Sequence, residues 1–276
     1  MSEGTEQFKD LIERGHSIVR IENDIQQQIA VLKPRDEAKV LTRVLDELHM
    51  VPEYAKKVYY SIPHKDRSDD DEKTVWVEGV SINGSMAIQR RWGNSATGQR
   101  VIDETNERII CEGVFMDYEL NNRVQRQVGV LRMYKPKGKN VMVPLREDRL
   151  AIAVQSSMSK AVRNAVLHGI PESIKMEYLR QAKAIAGSTK GAGGKPVKES
   201  LEKRLESLWI DYEGQGISKP EIVKYLGKQS VNEQDYERLV GLLNAITEGY
   251  VKKDSIFVPD EPKQTTKQAV NIDDII

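Results

Sequence analysis

The run from Thr97 to Arg163 holds three strand-like segments of about eight to twelve residues each, parted by polar turns at Asn106 and at Asn121-Asn122. They lead through Lys135-Pro-Lys-Gly-Lys139, where Pro136 and Gly138 mark a loop rather than a strand interior, into one long helix. Pro144 precedes that helix, predicted over 146–168, and Gly169-Ile170-Pro171 closes it. Leu150, Ala153, Val154, Ser157, Met158 and Ala161 share one of its stripes and are expected to pack on the sheet. Arg149, Ser156, Lys160 and Arg163, at offsets of 7, 11 and 14 from Arg149, form a second stripe of cations and a hydroxyl. A further helix is predicted over Glu172–Ile185.

Upstream, Ile25, Ile29 and Val31, then Val40, Leu41, Val44, Leu45 and Leu48, recur at helical spacing on either side of Lys33-Pro34-Arg35-Asp36, so 1–57 reads as a broken helical region. A short strand over 58–63 enters an acidic loop at 66–73, expected to be exposed and mobile. Val75, Val77 and Val80 mark a second strand, and Ser81 and Ser85 can cap a helix that stops at Trp92-Gly93-Asn94. Downstream, four glycines with Ser188 and Thr189 between Ala186 and Pro196 predict a flexible linker, 186–198. Three short helices follow at 199–211, 219–226 and 232–248, with Leu208, Trp209, Ile222, Leu239 and Leu242 among the residues of a small core. The expected fold class is α+β: a three-stranded antiparallel sheet with a long helix packed across it (core 58–185), N-terminal helices, a small all-α domain at 199–257 and a polar tail at 258–276.

Composition changes this picture only through its distribution. The 42 Lys and Arg balance 42 Asp and Glu, so bulk charge argues for no partner, yet six basic side chains and no acidic one lie between Arg123 and Lys139. The single cysteine, Cys111, allows no internal disulfide and fits a reducing cytoplasm as a buried thiol. No apolar run approaches the ~18 residues of a membrane helix. A membrane partner is therefore not expected.

A cationic stretch on a sheet-plus-helix unit points to nucleic acid, because neutralising phosphates releases counterions and supplies sequence-independent affinity. The candidate DNA-binding residues are Arg90, Arg91, Arg123, Arg126, Arg132, Lys135, Lys137, Lys139, Arg149, Ser156, Lys160 and Arg163. Trp92 and Tyr134 are candidates for stacking on bases, as is Tyr118, although Trp92 also suits a core position at its helix end. No P-loop, dinucleotide-binding turn, nucleophile elbow or His-Cys cluster occurs, so no catalytic residue, metal or cofactor is expected. Asp103, Glu104, Glu112, Asp117 and Glu119 leave a metal-dependent nuclease as one alternative, and a duplex-reading regulatory or scaffold protein is another.

The order of elements, with Glu78-Gly-Val-Ser-Ile82, Gln89-Arg-Arg-Trp-Gly-Asn94 and the stretches Arg146-Glu-Asp and Ser159-Lys-Ala-Val-Arg-Asn164, resembles the ATP-independent single-strand annealing recombinases: phage Redβ, RecT and Erf-type proteins and the eukaryotic annealing mediators. The resemblance spans roughly residues 58–185 and implies annealing of complementary strands by a ring- or filament-forming homo-oligomer in the cytoplasm of a bacterial host. It also implies a DNA backbone groove at Lys160 and Arg163, near Arg126, Arg132, Lys137 and Lys139. Gly216-Ile-Ser-Lys-Pro220 and Tyr225-Leu-Gly-Lys228 resemble the helical tail of phage recombination proteins. That tail implies docking of a host single-strand binding protein or a phage exonuclease; Lys219, Lys224 and Lys228, close to Tyr225 and Leu226, are the candidates to receive an acidic peptide with an apolar end.

Overall fold

The computed structural model describes residues 24–66, 73–136, 141–190 and 196–257. The readings made above for 1–23, for the acidic loop at 67–72, for Lys137 and Lys139, for 191–195 and for the tail lie outside the described residues.

The fold is α+β. Residues 24–32 are helical (α1), and Pro34 separates them from α2 (Glu37–Met50), which Asp36 caps by accepting from the Lys39 amide. Val40, Val44 and Leu48, four residues apart, bury one face of α2. A 3₁₀ turn (Pro52–Lys57) leads to the hairpin of β1 (Tyr59–Asp66) and β2 (Lys73–Val80). Next comes α3 (Ile82–Trp92), whose N-terminus is capped by Ser81 Oγ accepting from Gly84 N at 3.2 Å. Ser85 donates to Ile82 O instead of capping.

The central sheet is antiparallel with strand order β3-β4-β5: β3 (Ser95–Glu104), β4 (Arg108–Asp117) and β5 (Asn122–Leu131). Across one face lies α4 (Glu147–Gly169), reached through the two-residue strands β6 (Met133–Tyr134) and β7 (Val143–Pro144). The expected stripe packs as the periodicity requires: Leu150, Ala153, Val154 and Met158 cover Ile109, Cys111 and Val130. Cys111 is buried, its thiol donating weakly to Val154 O at 3.8 Å, and burial raises its pKa. Gly113 sets how close the helix comes, because a Cβ there would lie 2.2 Å from the Ala161 carbonyl carbon and the Val162 nitrogen.

After α4 come α5 (Glu172–Ile185), the small hairpin β8 (Ser188–Lys190) with β9 (Pro196–Lys198), then α6 (Leu201–Gly214), α7 (Lys219–Leu226), α8 (Glu233–Thr247) and α9 (Lys253–Ile256). These helices do not close on a core of their own. Leu208, Tyr212, Ile222, Tyr236, Leu239 and Leu242 belong to the same buried cluster as Val40, Val44, Tyr59, Trp92 and Val166. Close to β1, α8 runs with Gly241 facing Ser61, and Tyr59 Oη donates to Glu237 O at 3.0 Å. The expected free linker is anchored at its described ends: Ala186 and Ser188 are buried, and Gly187 takes φ +81 beneath Arg204 and Tyr236. Among the described residues no helix is long and apolar enough to cross a membrane.

Candidate nucleic-acid interface

With positive and negative charges equal in number, what matters is which cations the fold leaves unmatched. Arg91 donates to Glu47 at 3.1 Å and ties α3 to α2; Arg132 pairs with Glu104; Arg100 meets the buried Glu112 at 2.8 Å. By contrast Arg90, Arg123, Arg126, Lys135 and Arg149 are exposed and form no ion pair among the described residues. Arg123 and Arg126 lie on β5, and the pleat sends them to opposite faces. Arg126 is registered opposite Gly113, hence on the α4 side, whereas Arg123 is registered opposite Met116 on the other.

The α4 stripe is not an open phosphate track. Ser156 Oγ donates to Glu248 O at 3.4 Å and Lys160 Nζ to Gly249 O at 2.8 Å. The Arg163 guanidinium stands 5.1 Å from the Tyr60 ring centre and 4.4 Å from that of Tyr250. Those carbonyls end α8, where Gly249 adopts φ +70 and Tyr250 N donates back to Ala245 O at 2.8 Å. Being the negative end of a helix, this cap competes for the cations. Burial, then the neighbouring Arg163 charge, lowers the pKa of Lys160. Of the stripe, Arg149 stays exposed.

Trp92 is not available for stacking. It is 1% exposed, its Nε1 donates to Asp117 Oδ2 at 2.9 Å, and the Arg35 guanidinium covers its ring at 4.2 Å. Tyr134, on β6, is exposed. The partner-docking cluster is also largely committed: the Tyr225 ring packs edge-on against Trp76 and Phe257, Leu226 joins the main core, Lys228 pairs with Asp235 at 2.6 Å, and Lys219 lies 5.8 Å from the Trp209 ring centre. Of the carboxylates weighed as a nuclease site, Asp117 and Glu119 share Arg35, and Glu112 and Glu104 are engaged elsewhere. Asp117 accepts from Trp92, Arg35 and the Glu119 and Leu120 amides; Glu112 and Glu104 hold arginines. Among the described residues no three His, Cys, Asp or Glu side chains gather into a possible metal site.

The face of the sheet away from α4 holds a cleft the sequence reading missed. Its volume is about 610 Å³, and Ala96, Gly98, Arg100, Val114, Met116, Tyr118 and Arg123 line it with Gln27 of α1. Ala96, Gly98 and Arg100 alternate along β3 opposite Met116, Val114 and Glu112 of β4. The small-small-large order on one strand face is the only trace it leaves in the sequence. Residues 33–35 pin the chain beyond α1 to the same end of the sheet: Asn94 Nδ2 donates to Lys33 O at 2.9 Å and Arg35 N to Glu119 Oε1 at 2.9 Å. Comparison with protein-family models, curated proteins and solved structures finds no match to this chain.

Proposed function

We propose that the protein binds single-stranded DNA without a nucleotide cofactor and anneals complementary strands, as the resemblance to the phage-type annealing recombinases implies. The observation that carries this reading is the set of exposed, unmatched cations Arg123, Arg126, Lys135 and Arg149 in a charge-balanced chain, on the sheet and at the start of its crossing helix. Such cations attract a phosphate backbone whatever the sequence, leaving the bases to find their complement. Base pairing then supplies the driving force, ~1.4 kcal/mol per base-pair step, so no hydrolysis is needed. A homo-oligomer, ring or filament, would repeat these cations, on both faces of the sheet, along a strand.

The test is fluorescence anisotropy of a labelled oligo-dT without nucleotide, with annealing of complementary oligonucleotides followed by energy transfer. Binding should weaken linearly in log-log plots against salt, and replacing Arg123 and Arg126 by Ala should cut the slope by about 0.7 per lost phosphate contact. An unchanged slope, or annealing only with added nucleotide, rejects the assignment.

A further inference from the structure

We infer that the cleft on the uncovered face of the sheet is a site for one planar heteroaromatic ring bearing an anionic group. Taking that ring to be a nucleobase with its phosphate rests on the annealing reading. The volume, about 610 Å³, falls within the range of small-ligand pockets, ~300–1,000 Å³. Its floor is Val114 and Met116, half-buried on the outer face of β4, offering a flat apolar surface and a polarisable thioether to a ring. Two arginines flank the floor and play different parts. Arg100 is held at 2.8 Å by Glu112, whose side chain is 5% exposed, while Arg123 has no carboxylate among the described residues and is left to meet an anion.

The space exists because β3 has small residues where it faces the cleft. A Cβ on Gly98 would meet nothing within 4 Å, in contrast to Gly113, whose missing side chain admits the α4 backbone. A glycine inside a strand loses packing and chain entropy, and where no protein atom approaches, it marks room for something else. Gln27, across the cleft on α1, adds an amide able both to donate to and to accept from a base edge.

A free nucleotide and a base within a strand share this chemistry, and three probes separate them. The full chain, carrying methionine labelled with ¹³C at the methyl group, is titrated with adenosine monophosphate, with oligo-dA and with inorganic polyphosphate, and the Met116 methyl resonance is followed. The cleft site requires that the mononucleotide shifts this resonance and that polyphosphate does not, and the annealing reading adds that the oligonucleotide shifts it too. Gly98→Leu, which fills open space, should abolish the mononucleotide shift and weaken oligo-dA binding at least tenfold while polyphosphate binds as before. Met116 unmoved by either base-containing probe overturns the proposal, as does Gly98→Leu behaving as wild type. Oligonucleotide binding without a Met116 shift removes the cleft and leaves the annealing reading standing. A Met116 shift with the mononucleotide alone, and no oligonucleotide binding, removes that reading and leaves the cleft.

Discussion

Gly113→Ala is the sharpest probe of how the sheet and α4 fit. The added Cβ would sit 2.2 Å from the Ala161 carbonyl carbon and the Val162 nitrogen, both backbone atoms that cannot rotate away. Carbon atoms in contact sit ~3.5–4.0 Å apart, so α4 must retreat by roughly 1.5 Å at this point. That retreat loosens Leu150, Ala153, Val154 and Met158 from Ile109, Cys111 and Val130, and lifts Gly169 from Phe115. Overpacking of this kind costs about 1–3 kcal/mol, and with backbone on both sides of the clash the upper end applies. Converted at ~2–4 °C per kcal/mol for a chain of this size, the expected fall in Tm is about 6–12 °C. The control is Gly98→Ala, in the neighbouring strand with nothing within 4 Å of its Cβ. It should be neutral or gain about 0.4–1 kcal/mol from the stiffer unfolded chain. Urea titration and thermal melts of both variants decide the matter. Equal stabilities would refute the claim that Gly113 exists to admit the helix.

Other residues give equally direct tests. Arg35→Met leaves the buried Asp117 carboxylate without its cation and should cost about 3–5 kcal/mol in urea titration, with the Trp92 fluorescence altered. Lys160→Met should lose about 1 kcal/mol, since it removes a hydrogen bond to the end of α8, and leave the salt slope of DNA binding unchanged; a reduced slope would return Lys160 to the interface. Burial, opposed by the nearby Tyr250 and Ser81 hydroxyls, the Ile82 amide that donates to Glu248 and the Arg163 charge, raises the Glu248 pKa above its ordinary 4.5. The charged form is therefore disfavoured in the folded state, and stability should rise as pH falls through the raised value towards 4.5; Glu248→Gln should flatten that rise in pH-dependent melts. Truncation after Ile185 should prevent cooperative folding, seen as lost near-ultraviolet dichroism, because Tyr236, Leu239 and Leu242 complete the core around Tyr59 and Trp92.

The elements that could be read from the sequence are those whose evidence is local. The α4 stripe at Leu150, Ala153, Val154 and Met158 follows from a period of 3.6 residues, and the halt at Gly93-Asn94 from two residues that accept positive φ, here 70° and 41°. What a face packs against is not local. The apolar faces of α6 and α8 look the same whether they close on one another or on β1, and the small separate domain was the simpler expectation for them. Gly187 likewise reads as slack, whereas it turns the chain at φ +81 under the Arg204 side chain, a position where a Cβ would lie 2.4 Å from Arg204 Cδ.

Of the candidate site the sequence shows the types of residue and not their placement, and the reason is strand register. Cations on β5 are visible in the sequence, but the pairing of Met116 with Arg123 and of Gly113 with Arg126 decides which face each one serves. A slip of one residue would turn Arg123 towards α4 and take the one unmatched cation away from the cleft. The contacts of Lys160 and Arg163 within the fold were hidden for a related reason. Lys160 is held by the backbone carbonyl of Gly249, a group every residue carries, so no pattern of side chains could announce it. Arg163 is held by two rings, Tyr60 and Tyr250, that lie far apart in sequence from it and from each other. Charge counting is equally blind to place: Glu47, Glu104 and Glu112 pair with Arg91, Arg132 and Arg100, while nothing among the described residues answers Arg123, Arg126 or Arg149.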